Sequence, residues 1–174
     1  IAASGAKIPY PPATRDFHHE IELVVAIGKP GFDVPVDSAE QLVFGFACGL
    51  DMTRRDLQKS AREKGHPWST AKDIEHGAIV APIQPVTAIG HPTTGRIWLA
   101  VNGDTRQNAD LADLIWSVPE IIAYLSRYYH LAPGDLIFSG TPAGVGPVAP
   151  GDIITGGIHK VGEIRLDVQD ASGG

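Results

Sequence analysis

The chain has 174 residues, of which 43% are hydrophobic and 20% charged, and a formal net charge of −6. That is enough apolar material for one core of ordinary domain size, and it argues against a disordered chain. Acidity without a polybasic tract argues against nucleic acid or an anionic membrane as partner, and no run approaches the ~20 apolar residues of a membrane span. The single cysteine, Cys48, permits no internal disulfide. Together with an N-terminus lacking a basic region followed by an apolar run, this suits a cytoplasmic protein.

Residues 6–14 contain Pro9, Pro11 and Pro12 and are expected to run extended. Residues 21–27 are apolar and β-branched and end at Gly28-Lys29-Pro30-Gly31, which reads as a strand and a turn. Residues 42–50 form a second short apolar run, expected to be a buried strand. Residues 53–64 are rich in helix formers and stop at Gly65, so a helix is expected, with Thr53 as its N-cap and Asp56 three residues on. Residues 78–86 read as a strand interrupted by prolines. Asn102-Gly103 between residues 96–101 and 104–107 is a strong hairpin signal. Residues 119–130 place Ile122, Leu125 and Tyr129 at helical spacing, with Pro119 in the first turn. Strands are expected at 135–139, from 153 onward and at 163–168. No βαβ alternation appears. The expected fold is therefore α+β and β-rich: mixed, largely antiparallel sheets in a roll or sandwich, with a few short helices.

The segment His18-His19-Glu20-Ile21-Glu22 leads into the first strand, and alternation puts His18, Glu20 and Glu22 on one face. Two carboxylates there repel each other and, if buried, need a metal or an arginine between them. Asp51 closes the second apolar run, and Arg55 and Gln58 follow it at helical spacing. Three carboxylates suit Mg²⁺ or Mn²⁺. His18 and His19 keep zinc open. A solvated strand face, with Asp51 paired to Arg54 or Arg55, accounts for the same spacing without a metal. Lys72, near Trp68, is suited to hold a carboxylate or enolate oxygen, or is ordinary surface. The glycine-rich stretch from Ser139 to Gly146 offers backbone N–H groups to an anion, with Thr141 as a further donor, or is a tight connection. No histidine pairs with Cys48 or a serine in a nucleophile motif, so covalent catalysis is not indicated.

Five stretches stand in order over nearly the whole chain: HHEIEL (18–23), GLDMTRRDLQ (49–58), PWSTAKD (67–73), VNGDTRQ (101–107) and LAPGDLIFSGTPAGVGPVAPGD (131–152). As a set they resemble the fumarylacetoacetate hydrolase superfamily, and look most like its acylpyruvase branch. The resemblance implies the mixed β-roll of that family's C-terminal domain over residues 1–174 and a homodimer. It implies Mg²⁺ or Mn²⁺ as cofactor, with Ca²⁺ a further candidate, held by Glu20, Glu22 and Asp51. It implies Arg55, Gln58, Lys72 and Thr141 as the groups that position the substrate, a 2-oxo or 2,4-dioxo acid. Lys72 and Thr141 would also stabilise its developing charge. The activity implied is metal-dependent C–C hydrolysis of an acylpyruvate in aromatic-compound catabolism, with fumarylpyruvate, cleaved to fumarate and pyruvate, as the expected substrate. An isomerase, an oxaloacetate decarboxylase and a non-catalytic metal-binding domain are the alternatives. In that branch a His and a Glu on an upstream helix activate the water. Only seventeen residues precede His18. A missing upstream segment or an unseen lid is therefore expected, with His18 and His66 as internal candidates for the base.

Overall fold

The structure, a computed structural model, describes residues 1–171. In chain order the strands are β1 (Ala2–Ala3), β2 (Ala6–Pro9), β3 (Phe17–His19), β4 (Ile21–Ile27), β5 (Val43–Asp51), β6 (Thr53–Arg54), β7 (Ala78–Val80), β8 (Gln84–Pro85), β9 (Arg96–Val101), β10 (Asp104–Asp110), β11 (Leu136–Phe138), β12 (Gly146–Val148), β13 (Ile153–Ile158) and β14 (Gly162–Gln169). The helices are α1 (Val36–Ala39), α2 (Arg55–Glu63), α3 (Ser69–Lys72), α4 (Val86–Ile89) and α5 (Val118–Ser126).

Three sheets form: β1-β7-β5-β4-β11 with β8 also on β5, β10-β9-β13-β14-β2, and the small β12-β3-β6. Every pairing is antiparallel except β1 with β7 and β14 with β2, so the expected mixed, largely antiparallel β-rich class is what the chain adopts. Strands β4 and β5 pack against β9, β13 and β14 of the second sheet. Leu23, Phe46, Leu50, Leu99, Ile154 and Leu166 fill the core. Every residue of β4 is buried, which explains its nearly continuous apolar run. Glu22 is the exception in composition, not in burial.

The hairpin forms as expected: Asn102 and Gly103 take φ of 53° and 88°, the left-handed values a two-residue turn demands. Strand β10 runs on to Asp110, with a bulge between Thr105 and Gln107. Residues 78–86 divide into β7, β8 and the start of α4, and residues 6–9 of the extended lead-in pair with β14.

Two helix boundaries differ from expectation. The first helix begins at Arg55, not Thr53, because Thr53 and Arg54 pair with β3. Thr53 is no N-cap: its hydroxyl donates to the Asp51 carbonyl and accepts from Lys72. The second begins on a Ser117–Glu120 capping box and ends at Ser126, four residues early. There the buried Ser126 hydroxyl accepts from Val34 N–H and donates to the Ala123 carbonyl, and the chain leaves to bridge Leu131 with Gly31. No helix among the described residues is long and apolar enough to cross a membrane.

Candidate active site

Strand register builds the site. Ile21 pairs with Leu50 and Glu22 with Gly49, so the end of β5 lies beside the junction of β3 and β4. Asp51 N–H donates to the Glu20 carbonyl at 2.9 Å, fixing the two residues side by side. One carboxylate oxygen from each of Glu20, Glu22 and Asp51 then lies within 4.8 Å of the others. Glu20 and Glu22 are buried and Asp51 is half-buried.

Two cations reach this cluster. Lys72, presented by α3, donates to Glu20 Oε2 at 2.7 Å, to Thr53 Oγ1 at 2.8 Å and to Asp51 Oδ2. Arg55, the first residue of α2, donates to Glu20 Oε1 and to Gln58. The metal-free alternative, Asp51 paired with Arg54 or Arg55, does not form; Asp51 pairs with Lys72, and Arg54 reaches the Thr70 carbonyl. Because α2 starts only at Arg55, Asp51 is not in helical line with Arg55 and Gln58 either. A solvated strand face is excluded by the burial of both glutamates, and Lys72 is no ordinary surface lysine.

Glu22 receives no cation directly. Its Oε2 accepts the Gly140 N–H at 2.7 Å. Gly140 has φ of +97°, a conformation that favours glycine, so the residue type at 140 and the aim of its N–H at Glu22 are linked. Burial raises the Glu22 pKa to about 7, with Asp51 and Glu20 adding to the rise and the Gly140 N–H opposing it. Burial also raises the Asp51 pKa from its ordinary value, against the pull of Lys72. For Lys72, burial would lower the pKa, but the bonds to Asp51 and Glu20 outweigh it and raise the pKa.

Gln107 is the residue the sequence reading passed over. It is fully buried, and its Oε1 accepts from Ile21 N–H at 3.2 Å and lies 3.0 Å from His19 Nδ1. Its Nε2 donates to Thr141 Oγ1 and the Pro142 carbonyl, both at 2.8 Å. Gln107 thereby ties the Ser139–Pro142 loop to the first residue of β4. The bulge in β10 turns it inward, and the bulge has no signature in the residues Asp104-Thr105-Arg106-Gln107. Thr141 Oγ1 donates to the Ile21 carbonyl, so its proton is engaged within the protein rather than offered to a ligand. Replacing Gln107 by leucine is expected to cost about 3–5 kcal/mol, since Ile21 N–H and its other partners would stay buried without it. Denaturant unfolding of Gln107→Leu against the parent measures this.

The histidines stand apart. His19 is turned toward Gln107, and its buried Nε2 has no partner. His18 Nε2 lies 2.7 Å from Asp16 Oδ1, and its Nδ1 accepts from Arg55 Nε at 3.4 Å. Neither joins the three carboxylates, which removes the zinc alternative: the assembled donors are all oxygen. His66 is exposed beyond the end of α2.

Buried carboxylates held this close fit a small hard divalent cation. Burial first, and then the charges of Asp51 and Glu20, make ionised Glu22 costly, and a divalent cation beside it would offset that cost. Glu22 must ionise to bind one, so apparent affinity is expected to fall about tenfold per pH unit below about 7 and to level off above it. Mn²⁺ titrations in two buffers of different ionisation enthalpy should register about one proton released per ion a unit below that pKa, and almost none well above it.

The profile of the fumarylacetoacetate (FAA) hydrolase C-terminal family matches residues 1–169. The chain belongs to this family. Within it, a fumarylpyruvate hydrolase of Ralstonia sp is 54% identical over 171 residues, covering 98% of this chain and 88% of that protein. The mitochondrial oxaloacetate tautomerase FAHD1 of Homo sapiens is 41% identical over 168 residues, covering 97% of this chain and 76% of that protein. The crystal structure of fumarylpyruvate hydrolase from Pseudomonas aeruginosa in complex with Mn²⁺ and pyruvate superposes with a TM-score of 0.94 at 47% identity, over 97% of this chain and 73% of that one. The FAA hydrolase fold expected from the five ordered motifs is therefore the fold observed.

Proposed function

We propose that residues 1–174 are a single catalytic domain that hydrolyses the C–C bond of an acylpyruvate, fumarylpyruvate foremost, using Mg²⁺ or Mn²⁺ held by Glu20, Glu22 and Asp51. The observation that carries this is the convergence of three carboxylates with Lys72 and Arg55. The fumarylpyruvate hydrolase relative, 54% identical over 98% of the chain, supports the choice of substrate. The Mn²⁺ and pyruvate of the structural neighbour support the cofactor and the product.

The chemistry the ion supplies when bound is Lewis acidity toward a 2-oxo carboxylate. The protein's own groups do the rest. Lys72 Nζ, beside Glu20 and Asp51, holds a positive charge where the 2-oxo oxygen gains negative charge as the bond breaks. Arg55 and Gln58, bonded to each other, line the approach and orient the bound acid. Thr141, its hydroxyl anchored to Ile21 and Gln107, holds the loop rigid so that Gly140 N–H keeps Glu22 aimed. Of the two internal candidates, His18 is the one beside Arg55 and is taken as the base, since His66 is exposed beyond the end of α2. Burial keeps its pKa low, Asp16 takes its Nε2–H, and Nδ1 is the atom left to accept a proton once Arg55 releases it. Water then adds its oxygen to the acyl carbonyl carbon as its proton passes to His18. The C–C electron pair leaves as pyruvate enolate, which takes up a proton to give pyruvate, and the acyl group departs as a carboxylic acid.

A homodimer is part of the proposal. The exposed Ile115, Trp116, Tyr124 and Tyr128 make an apolar surface of the kind an interface covers. A cytoplasmic place in aromatic-compound catabolism completes it. Purified protein with Mn²⁺ is to be assayed on fumarylpyruvate and on oxaloacetate. Release of fumarate and pyruvate from the first supports the reading. Turnover of oxaloacetate with fumarylpyruvate inert would overturn it.

A further inference from the structure

A cavity of about 270 Å³ opens beside the carboxylate cluster, walled by His18, Arg55, Gln58, Lys59, Arg62 and Trp68 among others, with no acidic side chain in its lining. Arg55 belongs to both spaces: its guanidinium bonds Glu20, and its side chain lines the cavity. Arg55 is thus the side chain that stands between the carboxylate cluster and this cavity.

The three cations of the wall differ in what they are already doing. Arg55 is committed to Glu20 and Gln58. Lys59 shares its charge with Asp16 at 3.2 Å. Arg62 enters no ion pair or side-chain hydrogen bond among the described residues, yet helical spacing from Arg55 and Gln58 turns it to the same face. Helix α2 has no buried residue, so that row of polar side chains is not needed for the core. Trp68, 46% exposed, lines the same cavity and adds a flat apolar surface to it. A planar conjugated chain ending in a carboxylate satisfies both: the chain lies against the indole and the carboxylate meets the guanidinium fork.

We propose that Arg62, with Lys59 and Trp68, receives the distal carboxylate of the substrate and makes this a site for acylpyruvates whose acyl group carries a second acid. The inference rests on the acylpyruvate reading for the anchored end only. It also supplies the cation that a fumaryl carboxylate needs.

The test is binding, independent of turnover. The full chain loaded with Mn²⁺ is titrated calorimetrically with 2-oxoheptanedioate, which matches fumarylpyruvate in length but lacks the 4-oxo group and cannot be hydrolysed. It is titrated in parallel with 2-oxoheptanoate, which lacks the distal acid. The parent chain is expected to favour the dicarboxylate by about tenfold or more. Arg62→Gln should collapse that ratio toward one, and Arg62→Lys should keep part of it. Mn²⁺ titration of each variant checks that the cluster is intact. A parent that binds both ligands equally, or an Arg62→Gln variant that keeps the full ratio with its Mn²⁺ site intact, overturns the proposal. A parent that shows the preference but leaves fumarylpyruvate intact sinks the hydrolase reading and leaves this subsite standing.

Discussion

Glu22→Gln is expected to abolish turnover, by about 10³-fold or more, while making the metal-free protein more stable at alkaline pH. The two effects share one cause. Glu22 is 4% exposed, and its pKa is raised from 4.5 to about 7 by burial and by its acidic neighbours. A carboxyl with a raised folded-state pKa favours the fold while protonated. That contribution is complete below the unfolded value and is lost as pH rises through the folded one. Above pH 7 the ionised form therefore costs on the order of 3 kcal/mol, which a neutral isostere would not incur. Glutamine keeps the acceptor for Gly140 N–H, so the loop stays in place. It cannot supply the third negative charge. Loss of one of the three proposed ligands should weaken Mn²⁺ by more than the 10–100-fold typical for a residue that merely supports a ligand. Thermal unfolding with chelator at about pH 5 and about pH 8.5 reads the stability arm. The variant should exceed the parent only at the higher pH. A variant less stable than the parent at both values would refute the buried-charge account, and unchanged Mn²⁺ affinity would refute the metal role.

Lys72→Met carries the opposite signature. In the metal-free protein Lys72 is the cation shared by Glu20 and Asp51, and removing it leaves Asp51 without an ion-pair partner. Breaking a fully buried pair by deleting one member costs about 3–5 kcal/mol; for this half-buried pair about 2 kcal/mol is expected, roughly 5 °C in melting temperature for a chain of this length. A divalent ion supplies the missing positive charge, so saturating Mn²⁺ should close most of the gap between variant and parent. Activity should still fall by about 10²–10³-fold, because Mn²⁺ cannot replace the ammonium at the developing oxyanion. Melting of parent and variant with and without Mn²⁺ decides the matter. A gap of the same size in both conditions would mean that Lys72 acts in packing rather than in charge balance.

What could be read from the sequence was what local chemistry decides. Short apolar runs marked β4 and β5, Asn102-Gly103 marked the hairpin, and Gly65 marked the end of α2, because each depends on neighbours a few residues away. The three carboxylates could be picked out as candidates, but spacing alone left open both a metal and a solvated face with Asp51 paired to an arginine. The five ordered motifs pointed to the family, and through it to Glu20, Glu22 and Asp51. What the sequence could not show was pairing across distance. Lys72 reaches Glu20 over 52 residues, Gly140 reaches Glu22 over 118, and Gln107 reaches Ile21 over 86. The start of α2 moved to Arg55 because β3 claimed Thr53 and Arg54 as strand partners, an override no local propensity registers. The sequence by itself determined the β-rich class and the set of acids; the tertiary structure alone decided which cations meet them. Strand and turn formation is settled by steric preferences within a few residues. The ionisation and partners of a buried charge are settled by whatever the fold brings within hydrogen-bond distance.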